Sequence, residues 1–228
     1  MPAALASLDT LIHERRLWPA AGQAAGRPGE PTGHAPLDAA LPGGGWPGAS
    51  LLELLLPMDG VGELRLLLPT LVRLARQGRS LLMVAPPYLP YAPALAAAGL
   101  DLARLRVVRA EGRDALWAAE QGLRSGACGA VLCWPQGADD RALRRLSVAA
   151  EQGDALGFAF RPLRALQQPS PAALRMELMP GDRVHLHKCR GGAVPAAAVA
   201  WGATSDVPTR AMVDASSPSP RVALRAVH

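Results

Sequence analysis

Between Ser50 and Phe160 short apolar runs alternate with longer segments at helical spacing, and this alternation limits the possible folds more than any other feature. Ser50–Leu56 is apolar apart from Glu53, which predicts a buried strand. Gly62–Gln77 follows at helical spacing, with Pro69 expected to kink the helix or shorten it by a turn. Strands are then predicted at Ser80–Ala85, Leu105–Arg109, Gly129–Trp134 and Leu156–Phe160, and helices at Ala92–Ala98, Asp114–Arg124 and Asp140–Gln152. Such a succession predicts an α/β domain with a mostly parallel sheet flanked by helices. After Pro171 the rhythm changes. Leu174–Leu178 and Arg183–Lys188, split by Pro180-Gly181-Asp182, predict an antiparallel strand pair at the end.

The regions outside this core read differently. Residues 1–31 are predicted to hold an amphipathic helix, Ala3–Trp18, and a linker rich in Gly, Ala and Pro. The core is expected over 32–192, and 193–228 is expected to be an extension ending in a mobile tail from about Thr204. No apolar run is long enough to cross a bilayer, and Met1–Leu17 lacks the pattern of a secretory signal. Three scattered cysteines are too few for a disulfide framework and suit a reducing compartment, so the expected setting is the cytoplasm, without membrane contact. The net charge of +5 invites a nucleic-acid reading, or an acidic partner. Lys188 is the only lysine and Ile12 the only isoleucine, however, which points to codon bias behind the many arginines.

Pro57-Met58-Asp59-Gly60-Val61-Gly62-Glu63-Leu64 stands where a phosphate loop belongs, between a buried strand and a helix. A working loop reads G-x-x-x-x-G-K-[ST], its lysine neutralising phosphate and its hydroxyl holding magnesium. Here Gly62 is kept, but Pro57, Glu63 and Leu64 replace the first glycine, the lysine and the hydroxyl. The change from lysine to glutamate removes one attraction and adds one repulsion, each worth about 4 kcal/mol at contact distance for an effective dielectric near 20. Helix-dipole help for an anion is about 1 kcal/mol, so repulsion of nucleotide wins. The strand ending at Cys133 runs into Trp134 where a metal-binding acid is expected. No catalytic residue and no cofactor are therefore assigned. Gly43-Gly44-Gly45-Trp46-Pro47-Gly48 precedes a strand instead of following one, which makes it a glycine turn.

Two further groups bear on binding. His185, His187 and Cys189 alternate, so a regular strand would place all three on one face, but no fourth metal ligand lies nearby and no metal is assigned. Arg141, Arg144, Arg145, Arg161, Arg164, Lys188 and Arg190 are candidates for a basic partner or DNA contact.

Thr32-Gly33, Leu37–Leu41, the glycine turn and Leu51–Leu56 resemble the entry to the RecA ATPase core, and Val184–Arg190 resembles its late basic strand. Gly62–Pro69, Ala85-Pro86-Pro87, Tyr91–Leu95 and Ala115–Gln121 resemble the ImuA family of RecA-like accessory proteins. That resemblance implies a RecA-like P-loop core with a degenerate loop. It also implies a non-catalytic adaptor of the SOS mutasome in translesion DNA synthesis. Its implied partners are ImuB and RecA, with an error-prone replicative-type DNA polymerase engaged indirectly. Arg161 stands where RecA has a nucleotide-sensing glutamine, and the loop Pro162–Pro171 is short, which leaves direct DNA binding open. A SulA-type cell-division inhibitor acting on FtsZ, built on the same core, is the alternative.

Overall fold

The computed structural model describes residues 29–202, so the expected helix Ala3–Trp18 and the tail from Thr204 lie outside the described residues. Eight strands form one sheet: β1 Leu51–Leu56, β2 Ser80–Val84, β3 Leu105–Val108, β4 Cys128–Cys133, β5 Leu156–Pro162, β6 Leu174–Met179, β7 Arg183–Cys189 and β8 Val199–Ala200. Among the described residues five α-helices accompany them: α1 Ala35–Ala40, α2 Glu63–Arg76, α3 Ala92–Ala97, α4 Gly112–Arg124 and α5 Asp140–Gln152. The spatial order is β3-β2-β4-β5-β1-β6-β7-β8. From β3 to β6 every pairing is parallel, while β6–β7 and β7–β8 are antiparallel. The sheet is therefore mixed and mostly parallel.

Strand alternation sorts the core into two layers. Leu52, Leu54 and Leu56 of β1 join Leu156, Phe158 and Phe160 of β5 beneath α1 and α2, around the buried Trp46. The indole N–H of Trp46 donates to Thr70 Oγ1 at 2.8 Å and its ring meets Phe158 edge-on. Leu51, Val131, Cys133 and Ala159 face the opposite way, under α4 and α5. Helix α2 runs from Glu63 to Arg76 with Pro69 inside it. Gly33, at φ 87°, lies so close to the Pro69 ring that any side chain there would collide with it.

The sheet centre holds one charged cluster. Glu53, wholly buried on β1, accepts from Arg161 Nη1 at 2.7 Å and from Arg175 Nε at 2.5 Å. Arg161 also donates to Ala138 O at 3.1 Å and Gln168 Oε1 at 2.7 Å. Arg175 donates to Gln168 O at 3.1 Å and Ala165 O at 2.8 Å. The cluster joins β5, β1 and β6 and pins the short 3-10 helix Leu163–Gln167 above them.

This corrects the reading of Arg161 as a surface contact. Its guanidinium points into the core, because an ionised Glu53 there requires a partner. The expectation of a RecA-like P-loop core is corrected as well. The turn after β1 is closed by its own carboxylate, as the site geometry below details, and the family matches reported there are to a different group.

At the far end of α4, Gly153 sits against the last turn, and a Cβ built on it would lie 1.8 Å from Leu123 O. Two expected outcomes follow from this packing. Gly153→Ala should lower the unfolding free energy by roughly 2 kcal/mol, read from urea denaturation, because backbone must move to admit the methyl group. Glu53→Leu should cost roughly 3–5 kcal/mol in the same assay by stranding two buried guanidinium groups. The triple change Glu53→Leu, Arg161→Met and Arg175→Met should recover most of that loss.

Candidate functional site

All the parallel strands point their C-terminal ends at one edge of the sheet, the position where open α/β sheets present loops for binding. The turn Pro57–Gly62 leaves β1 there, with Gly60 at φ 80° and Gly62 at φ 101°, conformations that glycine adopts readily. Glu63 opens α2 and accepts the Gly60 N–H on Oε1 at 3.0 Å. A carboxylate at a helix start satisfies the same amides and dipole that would otherwise draw an external anion. Trp201 lies beside Gly62, meets His34 edge-on at 5.2 Å and carries Arg65 over its ring at 5.0 Å. Arg65 is in turn ion-paired with Asp182. His34 is buried and reaches Leu66 O through Nε2 at 3.0 Å. Pro57 and the tip of the turn are exposed, whereas Glu63 is buried and Leu64 packs against the core, so the base of the turn is a structural corner.

Trp134, at the end of β4, is buried and stacked on Phe160 with 4.4 Å between ring centroids. It does aromatic packing at a position where the sequence reading expected an acid. Cys133 beside it is equally inert, since burial pushes its thiol up to about 12.

The seven basic candidates are not brought to one place. Arg161 is interior. Arg141, Arg144 and Arg145 lie on the exposed side of α5, where Arg144 binds Asp140 at 2.7 Å and Arg145 approaches Glu120 at 3.4 Å. Arg164 is exposed beside a cavity of about 380 Å3 bounded by Pro135–Asp140 and Gln168. Lys188 donates to Ser170 O at 2.8 Å, and burial together with Arg175 and Arg190 lowers its pKa. Arg190 reaches Glu151 at 3.4 Å.

The His185, His187 and Cys189 alignment also fails, for a reason of register. A bulge falls where Arg175 and Met176 of β6 pair with Lys188 and Leu186 of β7, leaving His187 as the extra residue. Cys189 is thereby turned into the core beside Leu174, with its thiol pushed up by burial. His185 and His187 stay together, ring centroids 4.7 Å apart, and His187 Nε2 meets Glu177 Oε2 at 3.0 Å. Among the described residues no group of three such side chains could hold a metal ion, and no helix is long and apolar enough to cross a membrane.

The feature that sequence reasoning missed is the loop after β2. Pro86-Pro87-Tyr88-Leu89-Pro90-Tyr91 carries the chain's only two tyrosines. Tyr88, Leu89 and Tyr91 are 73%, 66% and 72% exposed. Three prolines fix backbone angles along this stretch, so the exposed rings are presented with little freedom to fold back. Met58, on the β1–α2 turn, is similarly exposed at the same edge of the sheet. Behind the loop lies a cavity of about 790 Å3, bordered by Pro86, Leu89, Arg109, Glu111, Trp134 and Gln136. The signal was available, since aromatic and apolar residues interleaved with prolines cannot bury themselves in a regular element.

Comparison with known proteins falls on this region. A family model described as "SulA: Cell division inhibitor SulA" matches residues 56–157. The cell division inhibitor SulA of Photorhabdus laumondii is 32% identical over 124 residues, covering 54% of this chain and 70% of that protein. That of Edwardsiella piscicida is 38% identical over 103 residues, 43% of this chain and 60% of that protein. The crystal structure of SulA from Pseudomonas aeruginosa shares 30% identity, spanning 49% of this chain and 97% of that one with a TM-score of 0.42. The family model and the two relatives overturn the resemblance to ImuA. With it go translesion synthesis, SOS mutagenesis, the RecA-like P-loop core, and ImuB, RecA and the error-prone polymerase as partners. The alternative reading is the one they favour, and the matched relatives carry the name of an inhibitor instead of a catalysed reaction. The chain belongs to the SulA family.

Proposed function

We propose that this protein inhibits cell division by binding the division GTPase FtsZ, and that the exposed rim Tyr88-Leu89-Tyr91 makes the central contact. The presentation of that rim is the observation that carries the reading. Large apolar side chains held out by prolines are what a protein interface uses as anchors, and tyrosine is among the residues most enriched at such anchors. The rim lies inside the span matched by the family model. Action by binding and not by turnover is supported by the self-occupied corner at Glu63, whose carboxylate already takes the amide a phosphate would use. FtsZ as the target places the work in the cytoplasm, a setting that also suits three unpaired cysteines. In this reading 32–192 is the binding core, while 1–31 and 193–228 are appendages. The exposed Arg141, Arg144 and Arg145 are secondary contacts for acidic patches on the partner.

The test is reconstitution with purified FtsZ and GTP. The intact chain should reduce polymer pelleting and GTP turnover at near-stoichiometric ratio. Tyr88→Ser should weaken the interaction roughly 30-fold, the scale of a 2 kcal/mol anchor, and adding Tyr91→Ser should weaken it further. Thermal midpoints should not change, because neither ring is packed. Absence of any binding by the intact chain would refute the function. Full activity of the double variant would refute the rim.

A further inference from the structure

Among the described residues the sheet has one open edge of useful length. Strand β3 ends the order on one side, whereas β8 at the other end is only two residues long. The direction of the unpaired groups on β3 can be read from two contacts. Val108 O accepts the Ala85 N–H at 2.9 Å, so Val108 and, by strand alternation, Arg106 turn their main-chain groups towards β2. Those of Leu105 and Val107 therefore face outward. Arg106 Nη1, 3.2 Å from Leu105 O, confirms that this carbonyl lies on the open side. Val107 is also exposed, an apolar side chain on a strand edge that none of the described residues pairs with.

Charge then restricts what can pair here. Arg104, Arg106 and Arg109 are all exposed along or just beyond the strand, with Arg113 in the first turn of α4. Among the described residues none of the four makes an ion pair; Arg104 and Arg106 donate only to main-chain oxygens. The acids on adjoining elements are differently engaged. Asp101 caps the 3-10 turn by accepting the Ala103 N–H at 2.9 Å, and Glu111 and Asp114 flank the start of α4, where they complement its dipole. A second copy of this chain placed along the edge would set arginines against arginines. An acidic strand would meet them with opposite charge.

We propose that β3 accepts an extended acidic segment of a partner protein as a ninth strand. Its main chain pairs with Leu105 and Val107, and its carboxylates meet Arg104, Arg106 and Arg109. Arg106 swings off Leu105 O to do so, exchanging a carbonyl for a carboxylate and freeing the edge acceptor. Arg109 borders the cavity behind Tyr88 and Leu89, so the same segment can seat one apolar side chain there as it leaves the strand. This edge is distinct from the aromatic rim, and the proposal does not depend on FtsZ being the partner.

The probe is a fluorescent peptide of alternating Asp and Val, compared with a Lys and Val peptide and with an Asp and Pro peptide of equal charge that cannot pair. Only the Asp and Val peptide should bind by anisotropy, and binding should fall as salt rises. Val107→Pro removes only an outward N–H, which an edge strand tolerates, and should abolish binding with little change in thermal midpoint. Arg106→Glu should weaken binding about tenfold or more. Absence of binding by the Asp and Val peptide would overturn the proposal, as would equal binding of the Asp and Pro peptide, since charge alone would then explain it. So would a concentration-dependent dimer abolished by Val107→Pro, because the edge would then belong to a second copy. Should Val107→Pro fail to fold, Arg106→Glu and the proline peptide decide between the same outcomes.

Discussion

Glu53 is the residue on which the sheet centre turns. It is the one charge in an otherwise apolar strand, it is fully enclosed, and two arginines from different strands converge on it. Enclosing three charges is costly in solvation, and well-packed apolar residues of similar volume would serve stability at least as well. The cluster supplies direction in return. Arg161 and Arg175 each carry further donors, which collect the carbonyls of Ala138, Ala165 and Gln168 and hold the chain between β5 and β6 down on the sheet. A one-residue slip of β1 would turn Glu53 into the opposite apolar layer, so the cluster also fixes register.

The neighbouring turn follows the same logic on a smaller scale. Glu63 occupies a helix start with its own carboxylate, and Trp201 lies beside the corner from a segment well over a hundred residues away. What resembles a phosphate loop in order of residues is a folded corner in space. The sequence reading took Glu63 as a charge reversal within a degenerate phosphate loop, and that reading fell with the RecA-like core. What Glu63 does was not legible, because the amide it binds and the indole near it are set by tertiary contacts.

The succession of elements was legible for a related reason. Apolar runs bounded by glycine and proline fix strands such as Leu51–Leu56 and Cys128–Cys133, and the layering follows from alternation. Two readings failed where one residue's environment departed from its pattern. Arg161 was counted with surface arginines, though Glu53 drew it inward. Cys189 was aligned with His185 and His187, though a single bulged residue turned it the other way. The rim Tyr88–Tyr91 had a plain signal in its interleaved prolines and aromatics, yet only its flanks, Ala85-Pro86-Pro87 and Tyr91–Leu95, were read, as marks of resemblance to ImuA.

The strand order carries a consequence in time. The most apolar strand, β1, is made early, yet both its neighbours in the sheet are late: β5 begins about a hundred residues after β1 ends, and β6 follows β5. At ribosomal speeds of roughly 5–20 residues per second, Leu51–Leu56 spends on the order of 5–20 s outside the tunnel without its lateral partners. Through that interval Glu53 has neither arginine, and an ionised carboxylate in the middle of five leucines keeps the segment hydrated. The charge that later organises the finished sheet thus acts first as a gatekeeper against premature pairing of nascent chains.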